Sequence, residues 1–280
     1  MKQGVLYIVA TPIGNLSDIS QRAIDVLANV DLIAAEDTRH SRHLLSHFQI
    51  ATPLVAYHDH NEQSQTPQLV EKLQSGLSIA LISDAGTPLL SDPGYRLVKA
   101  AHDQRIRVSP IPGACAAIAA LSASGLATDQ FCFAGFPPAR TAARRQFYEV
   151  FKQQPQSVIF YESSHRILDS LRDLCAVVGE QREVLLAREL TKTFETLRRS
   201  PLGELVDWVA GDENQRKGEF VLIQAGADEQ PDEHRVEVET VLDVLMSELP
   251  LKQASALTAR ITGAKKNQVY KMALAKNGES

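Results

Sequence analysis

Through residue 225 the chain alternates short apolar runs with stretches of helical period, and this alternation restricts the fold more than any other feature. Residues 5–10, 32–35, 79–82 and 106–108 are apolar and of strand length, as strands covered on both faces must be. Between them, residues 19–30, 39–48, 65–73 and 95–102 carry apolar side chains at helical spacing. A βαβα order predicts a largely parallel sheet with helices on its faces. Pro110, Pro112 and Gly113 then break the chain, and a small-residue stretch at 114–123 opens a second unit. Its strands are expected at 131–134, 158–161, 184–187 and 220–223. A helix between the middle two is marked by Ile167, Leu168, Leu171, Leu174, Cys175 and Val178 on one face. The expected fold class is α/β: an N-terminal α/β domain at 1–112, a second α/β domain at 113–226, and a tail at 227–280.

The tail changes sign along its length. Residues 228–248 hold eight acids against the single base Arg235, whereas 249–278 hold six bases and no acid. This pattern reads as an acidic linker followed by a basic module. Two short helices at 253–261 and 265–275, around Thr262-Gly263-Ala264, make that module resemble a helix-turn-helix. A solvated two-helix appendage fits the same pattern.

A net charge of −5 argues against a protein that coats nucleic acid with its whole surface. The apolar run at 5–10 is too short for a secretion signal, and no stretch approaches membrane-spanning length. Cys115, Cys132 and Cys175 are odd in number and form no CxxC pair, as expected of buried thiols in a reducing compartment. A cytoplasmic enzyme follows as the expectation.

Ligands of open α/β sheets gather beyond the carboxyl ends of strands, where three loops stand out. Thr11-Pro12-Ile13-Gly14-Asn15 follows the first strand and is neither GxGxxG nor a P-loop. Gly14 permits close approach of backbone to a ligand, although a tight turn explains it equally well. The segment from Ser83 to Tyr95 crowds two Asp, two Pro and two Gly between a buried strand and a helix. Asp92 before Pro93 reads as a helix N-cap, while Asp84 has no local structural role and is free for a ligand. In Pro112-Gly113-Ala114-Cys115-Ala116-Ala117 small residues admit close packing of a helix or a ligand.

Three further motifs, Ala35-Glu36-Asp37-Thr38-Arg39, Phe133-Ala134-Gly135-Phe136-Pro137-Pro138 and Tyr161-Glu162-Ser163-Ser164-His165-Arg166, are followed by Arg188-Glu189-Leu190-Thr191-Lys192. Taken with the loops, in order over residues 4–225, they make the chain resemble the tetrapyrrole-methylase superfamily. The nearer branch is the one that methylates a cytidine ribose 2′-oxygen of 16S ribosomal RNA. The resemblance implies two α/β domains with S-adenosylmethionine between them, a homodimer, and 16S ribosomal RNA or the small ribosomal subunit as partner. It places cofactor contacts at Ile13, Ser83, Asp84, Thr87, Cys115, Ala116, Glu162 and Leu190. Porphyrin-methylating relatives carry a Gly-rich first loop and Gly-Asp-Pro in the second. Thr-Pro-Ile-Gly-Asn and Ser-Asp-Ala stand there instead, which favours RNA.

A ribose hydroxyl is a poor nucleophile, so a proton acceptor or a cation beside the forming alkoxide would help. Glu189 and Lys192 follow a strand end and are the catalytic candidates; Asp37 and Arg39 stand similarly, and ordinary ion pairs explain both sets. Arg144, Arg145, Arg198 and Arg199 are candidate phosphate contacts. His40, His43, His47, His58 and His60 complete no metal-ligand spacing, so no metal is expected. A porphyrin or corrin C-methyltransferase and a non-catalytic RNA-binding module remain the alternatives.

Overall fold

The computed structural model describes residues 4–227 and 233–278. The chain divides into two compact units, Met1–Gly226 and Ala227–Ser280. In the first unit, β1 (Val5–Val9), β2 (Leu32–Ala35), β3 (Leu54–Ala56), β4 (Ile79–Ile82) and β5 (Arg107–Ile111) form one sheet in the order β3-β2-β4-β1-β5. Every pairing in it is parallel. Helices α1 (Gln21–Asn29), α2 (Thr38–His47), α3 (Glu62–Gln74) and α4 (Tyr95–Asp103) connect these strands.

Successive strand residues face opposite ways, so an apolar run feeds two cores at once. Ala80 and Ile82 pack with Val9, Ala23, Leu27 and Leu45 under α1 and α2. Ile79 and Leu81 pack with Leu6, Leu69, Leu73 and Leu97 under α3 and α4. Hydrogen bonds to side chains start two of the helices: Ser20 accepts from the Ala23 amide and Asp37 from the Arg39 amide. The α4 terminus differs from expectation. Gly94, at φ 134°, holds the N-cap position and the helix begins at Tyr95, so Asp92 caps nothing.

The second sheet comprises β6 (Phe131–Gly135), β7 (Ser157–Ser163), β8 (Glu183–Arg188), β9 (Thr196–Pro201) and β10 (Glu219–Gln224), in the order β6-β7-β10-β8-β9. Only β6 and β7 pair in parallel. A short connection at 189–195 leaves no room for the crossover helix that parallel neighbours require, so β9 returns antiparallel beside β8. Helices α6 (Thr141–Glu149), α7 (Ile167–Val178) and α8 (Leu202–Gly211) cover the face carrying Val158, Phe160, Leu186 and Leu222. The opposite face, with Ile159, Leu185, Val221 and Ile223, packs against α5 (Ala116–Ser122).

Arg144 joins this core rather than the surface, which corrects its reading as a phosphate contact. Its guanidinium is buried and donates to Asp173 at 2.8 Å and to the Ala139 carbonyl at 3.1 Å. The half-exposed Arg145 donates to the other Asp173 oxygen at 2.7 Å. Arg199 is likewise committed, to Glu183 at 2.9 Å and the Gly125 carbonyl, and Arg198 lies over the Trp208 ring.

In the second unit, α9 (Glu233–Glu248), α10 (Leu251–Thr262) and α11 (Lys266–Gly278) share a small core of Val238, Leu242, Ala254, Val269 and Ala273. Most of the segment read as an acidic linker is thus helical, because Val238 and Leu242 supply an inward face that the charge count hides; residues 228–232 lie outside the described residues. Gly263 closes α10 in the left-handed conformation, as the turn at 262–264 requires.

Removing one member of a buried ion pair strands the other charge. Asp173→Ala should therefore destabilise the protein by about 3–5 kcal/mol in denaturant unfolding. Arg145→Ala should cost less than about 1 kcal/mol, since its partner keeps Arg144.

Candidate functional site

Because the first sheet is parallel, β1, β2, β4 and β5 all deliver their following loops to one edge. There the Thr11 amide donates to the Gly86 carbonyl at 2.9 Å and the Gly86 amide returns the bond at 3.1 Å. Thr87 Oγ1 donates to the Ala114 carbonyl at 3.0 Å, and Asp84 Oδ1 accepts from the Asp37 amide at 3.0 Å. Asp84 therefore does have a structural bond, across strands, which a local reading of its own loop does not reveal.

In the second sheet β7 and β8 both run antiparallel to β10, so Glu162 and Arg188 end up on either side of Phe220. Between these strand ends and the first-sheet loops lies a cavity of about 380 Å³. Ile13, Asp84, Thr87, Cys115, Ala116, Glu162 and Leu190 all line it. Ser83 does not; it lines a neighbouring hollow with Thr11, Gly14 and Ser41. Phe136 and Tyr161, in edge-to-face contact at 5.5 Å, add an aromatic wall that only the motif context hinted at.

Two acids on the first-sheet side were given no ligand role by sequence reasoning. Glu36 and Asp92 line the cavity with Asp84. Burial pushes the Glu36 carboxyl up to about 7, and repulsion from Asp92 and Asp84 adds to the shift. Burial likewise pushes Asp92 up to about 6, again with Asp84 opposing its ionisation. Glu162 stands opposite with its side chain fully buried. One of its oxygens binds Arg166 at 2.9 Å and the Ser163 amide at 2.8 Å, and the other, Oε2, has no partner.

Lys192 and Glu189 sit at the rim. The Lys192 ammonium lies 2.9 Å from Glu189 and 2.8 Å from Glu219, a cavity-lining residue. Burial opposes its charge, yet the hydrogen bonds to Glu219 and Glu189 hold the ammonium above its ordinary pKa. Burial also opposes ionisation of Glu189, but Lys192 and the Glu219 amide hold that carboxyl below its usual range. The cationic form of one and the anionic form of the other are thus both favoured. Asp37 and Arg39 form an exposed ion pair at 2.8 Å at the start of α2; the hydrogen bonds from Arg39 hold Asp37 well below the carboxylate range.

Backbone strain concentrates at the same place. Leu89, Ser91, Glu189 and Thr191 have φ of 73°, 67°, 50° and 65°, and all four lie in the loops around the cavity. Non-glycine residues hold such conformations only where their surroundings over-determine them, as at ligand sites. Among the described residues no group of three His, Cys, Asp or Glu is arranged to hold a metal ion, and no helix is long and apolar enough to cross a membrane.

The family model for Tetrapyrrole (Corrin/Porphyrin) Methylases matches residues 5–206, which span both sheets but for β10. The chain belongs to the tetrapyrrole methylase family. A second family model, the RsmI C-terminal HTH domain, matches residues 232–277. This tetrapyrrole methylase is 57% identical to ribosomal RNA small subunit methyltransferase I of Escherichia coli O157:H7, covering 99% of this chain and 96% of that one. It is 54% identical to the protein of the same name from Pseudomonas aeruginosa over the full length of both. Solved structures share the fold at lower identity. The methyltransferase CobJ superposes with a TM-score of 0.59 at 17% identity, covering 80% of this chain and 95% of that one. Uroporphyrin-III-C-methyltransferase from Thermus thermophilus gives 0.55 at 18% identity, covering 80% and 94%.

The raised carboxyl of Glu36 sets a pH dependence. Between its ordinary value of 4.5 and its folded value of about 7 it binds more protons folded than unfolded. Stability contributed there is full below the lower value and is lost as pH rises through the upper one. Glu36→Gln should therefore gain stability relative to the wild type between about pH 5 and pH 8 in thermal unfolding without ligand. A difference between the two that does not change with pH would place Glu36 in an ordinary solvated setting.

Proposed function

We propose that this chain methylates the ribose 2′-oxygen of a cytidine in 16S ribosomal RNA, with S-adenosylmethionine as donor. Its identity above one half, end to end, with relatives named ribosomal RNA small subunit methyltransferase I carries the reading. A porphyrin or corrin carbon as acceptor is the lesser reading, because the first loop lacks the Gly-rich form of the porphyrin-methylating relatives and the helical tail has no evident use for a macrocycle.

The cavity suits this cofactor. The buried, unpartnered Glu162 Oε2 needs a donor, and the cofactor's ammonium and ribose hydroxyls are donors. A cation also relieves the mutual repulsion of Glu36, Asp84 and Asp92. Glu162 and Asp84 would take the polar groups, while Ile13 and Leu190 cover apolar ones beside Thr87, Cys115 and Ala116; Ser83 would act from behind the loop. When bound, S-adenosylmethionine supplies a methyl group activated by a sulfonium.

Lys192, kept protonated by two carboxylates, cannot take a proton, and its role is to stabilise charge developing on the acceptor oxygen. Glu189, held ionised and occupied by Lys192 and the Glu219 amide, is a weak base whose role is to position that lysine. Glu36, with a pKa near neutrality and a place on the cavity wall, is the better proton acceptor. The RNA partner, as free 16S RNA or small subunit, also meets the tail. Lys252, Arg260, Lys265, Lys266 and Lys271 are exposed, whereas Lys276 is tied to Asp243 at 2.6 Å. A cytoplasmic homodimer completes the reading: β9 is an edge strand carrying the exposed Leu197, with exposed Phe194 just before it, which a second copy would cover.

A 2′-O-methyl group blocks alkaline cleavage at the adjoining phosphodiester, so the modified nucleotide should appear as a gap in an alkaline ladder of 16S RNA. The gap should vanish in cells lacking the protein; methyl transfer to a porphyrin precursor with no such gap would refute the assignment. Lys192→Ala should slow transfer by on the order of a hundredfold with cofactor affinity little changed. Reversing Lys265, Lys266 and Lys271 to Glu should lower the slope of log K for RNA against log salt by about 2, without affecting cofactor titrations. An unchanged slope would remove the tail from the RNA interface.

A further inference from the structure

Beside the cavity lies a hollow of about 220 Å³ between the first loop and α2, walled by Thr11, Pro12, Gly14, Leu16 and the α2 residues His40, Ser41, His43 and Leu44. We propose that this hollow seats the acceptor nucleoside, an inference that rests on the function proposed above and assigns its substrate pocket. Asp84 is the residue that lines both spaces, so the hollow adjoins the cavity across a single side chain. A methyl acceptor must occupy such an adjoining space, since transfer needs the two reacting atoms in contact and in line.

The lining is built for a ligand. Ser41 is 2% exposed and its hydroxyl has no hydrogen-bond partner, while the equally buried Ser83 faces the Asp92 carboxyl. Buried hydroxyls are ordinarily satisfied, so the unsatisfied Ser41 hydroxyl lining this hollow calls for a polar occupant. Pro12, Leu16 and Leu44 offer apolar surface for the flat face of a base, opposite hydroxyls and a carboxylate suited to sugar and base edges. His40 and His43, three apart on α2 and exposed, stand where flanking phosphates would pass. The Lys192 stem packs against Gly14, a residue of the same wall, so the lysine proposed to stabilise the alkoxide stands beside the first loop. The volume suits one extruded nucleoside, whereas a tetrapyrrole with its carboxylate arms needs several times more.

Two variants of the full-length protein test the assignment. Leu16→Trp places a large ring at the exposed rim, and Ser41→Ala deletes one buried hydroxyl without adding volume. Each is titrated with S-adenosylmethionine and then given small ribosomal subunits from cells lacking the protein. The expected result is cofactor affinity within about twofold of wild type for both. For the subunits, kcat/KM should fall by about a hundredfold in Leu16→Trp and about tenfold in Ser41→Ala. Wild-type kcat/KM in both variants would overturn the pocket while leaving the methyltransferase reading intact. Equal loss of cofactor affinity would overturn it by making the hollow part of the cofactor site. A wild-type protein that transfers no methyl to the subunits would overturn both readings together.

Discussion

The paired hydrogen bonds between Thr11 and Gly86 join the loop after β1 to the loop after β4, and the other site contacts are arranged around them. Gly86 takes φ of 81° there, and a Cβ on it would stand 3.3 Å from the Ile13 side chain, so a larger residue is both strained and crowded. Thr11 Oγ1 adds a bond to the Ser83 carbonyl at 3.3 Å. From this junction the links spread in the order of the strands. Asp84 ties β4 outward to the β2 end through Asp37, and Thr87 reaches past β1 to the residues after β5. Four loops at one sheet edge thus behave as a single platform, joined through backbone atoms at its centre and through the Asp84 and Thr87 side chains to either side.

Much of this was legible because buried parallel strands must be apolar throughout, and β1, β2 and β4 are. The elements that escaped are those whose residues answer to something other than a core. β3 has three residues, too few to show a period. β9 reads Thr-Leu-Arg-Arg-Ser-Pro, because an edge strand with half of its residues turned to solvent needs no apolar alternation. α9 looked like linker because its acids outnumber its inward residues. At the site, seven of the eight cofactor positions expected from the resemblance line the cavity, and Ser83 lines the hollow instead. Asp92 misled for a definite reason. Asp-Pro is the usual opening of a helix, but Gly94 can turn at φ 134° where no other residue turns cheaply, and the helix starts two residues later. That leaves Asp92 facing the cavity. Glu36 carries no local signal at all, since its raised pKa arises from burial in the fold and then from Asp92 and Asp84, far from it in sequence.

The charge pattern follows from how these elements meet. Strand ends of the first sheet bring Glu36, Asp84 and Asp92 to one wall, and the second sheet brings Glu162 to another. Burial makes each charge costly, and proximity makes them costlier together. Such a wall is poorly suited to a phosphate and well suited to a cation or a hydrogen-bond donor. It also repels any phosphate from the cavity itself.

Lys192 is the exception to that pattern, and its placement is enforced from three directions. Its ammonium is held between Glu189 and Glu219. Its stem fills the space over Gly14, where a Cβ would lie 2.4 Å from Lys192 Cγ. The carboxylate that holds it occupies the space over Gly218, where a Cβ would lie 2.5 Å from Glu189 Cγ. Both glycines are therefore needed for the lysine to reach the first loop. The left-handed residues Glu189 and Thr191 turn the chain sharply enough to present it. Strain of this kind persists only where surrounding contacts outweigh it, and here two carboxylates and two glycines supply them. A surface ion pair with no further purpose would not need a strained loop to carry it. The more economical account is that the loop exists to hold one positive charge at a fixed point beside an otherwise acidic cavity.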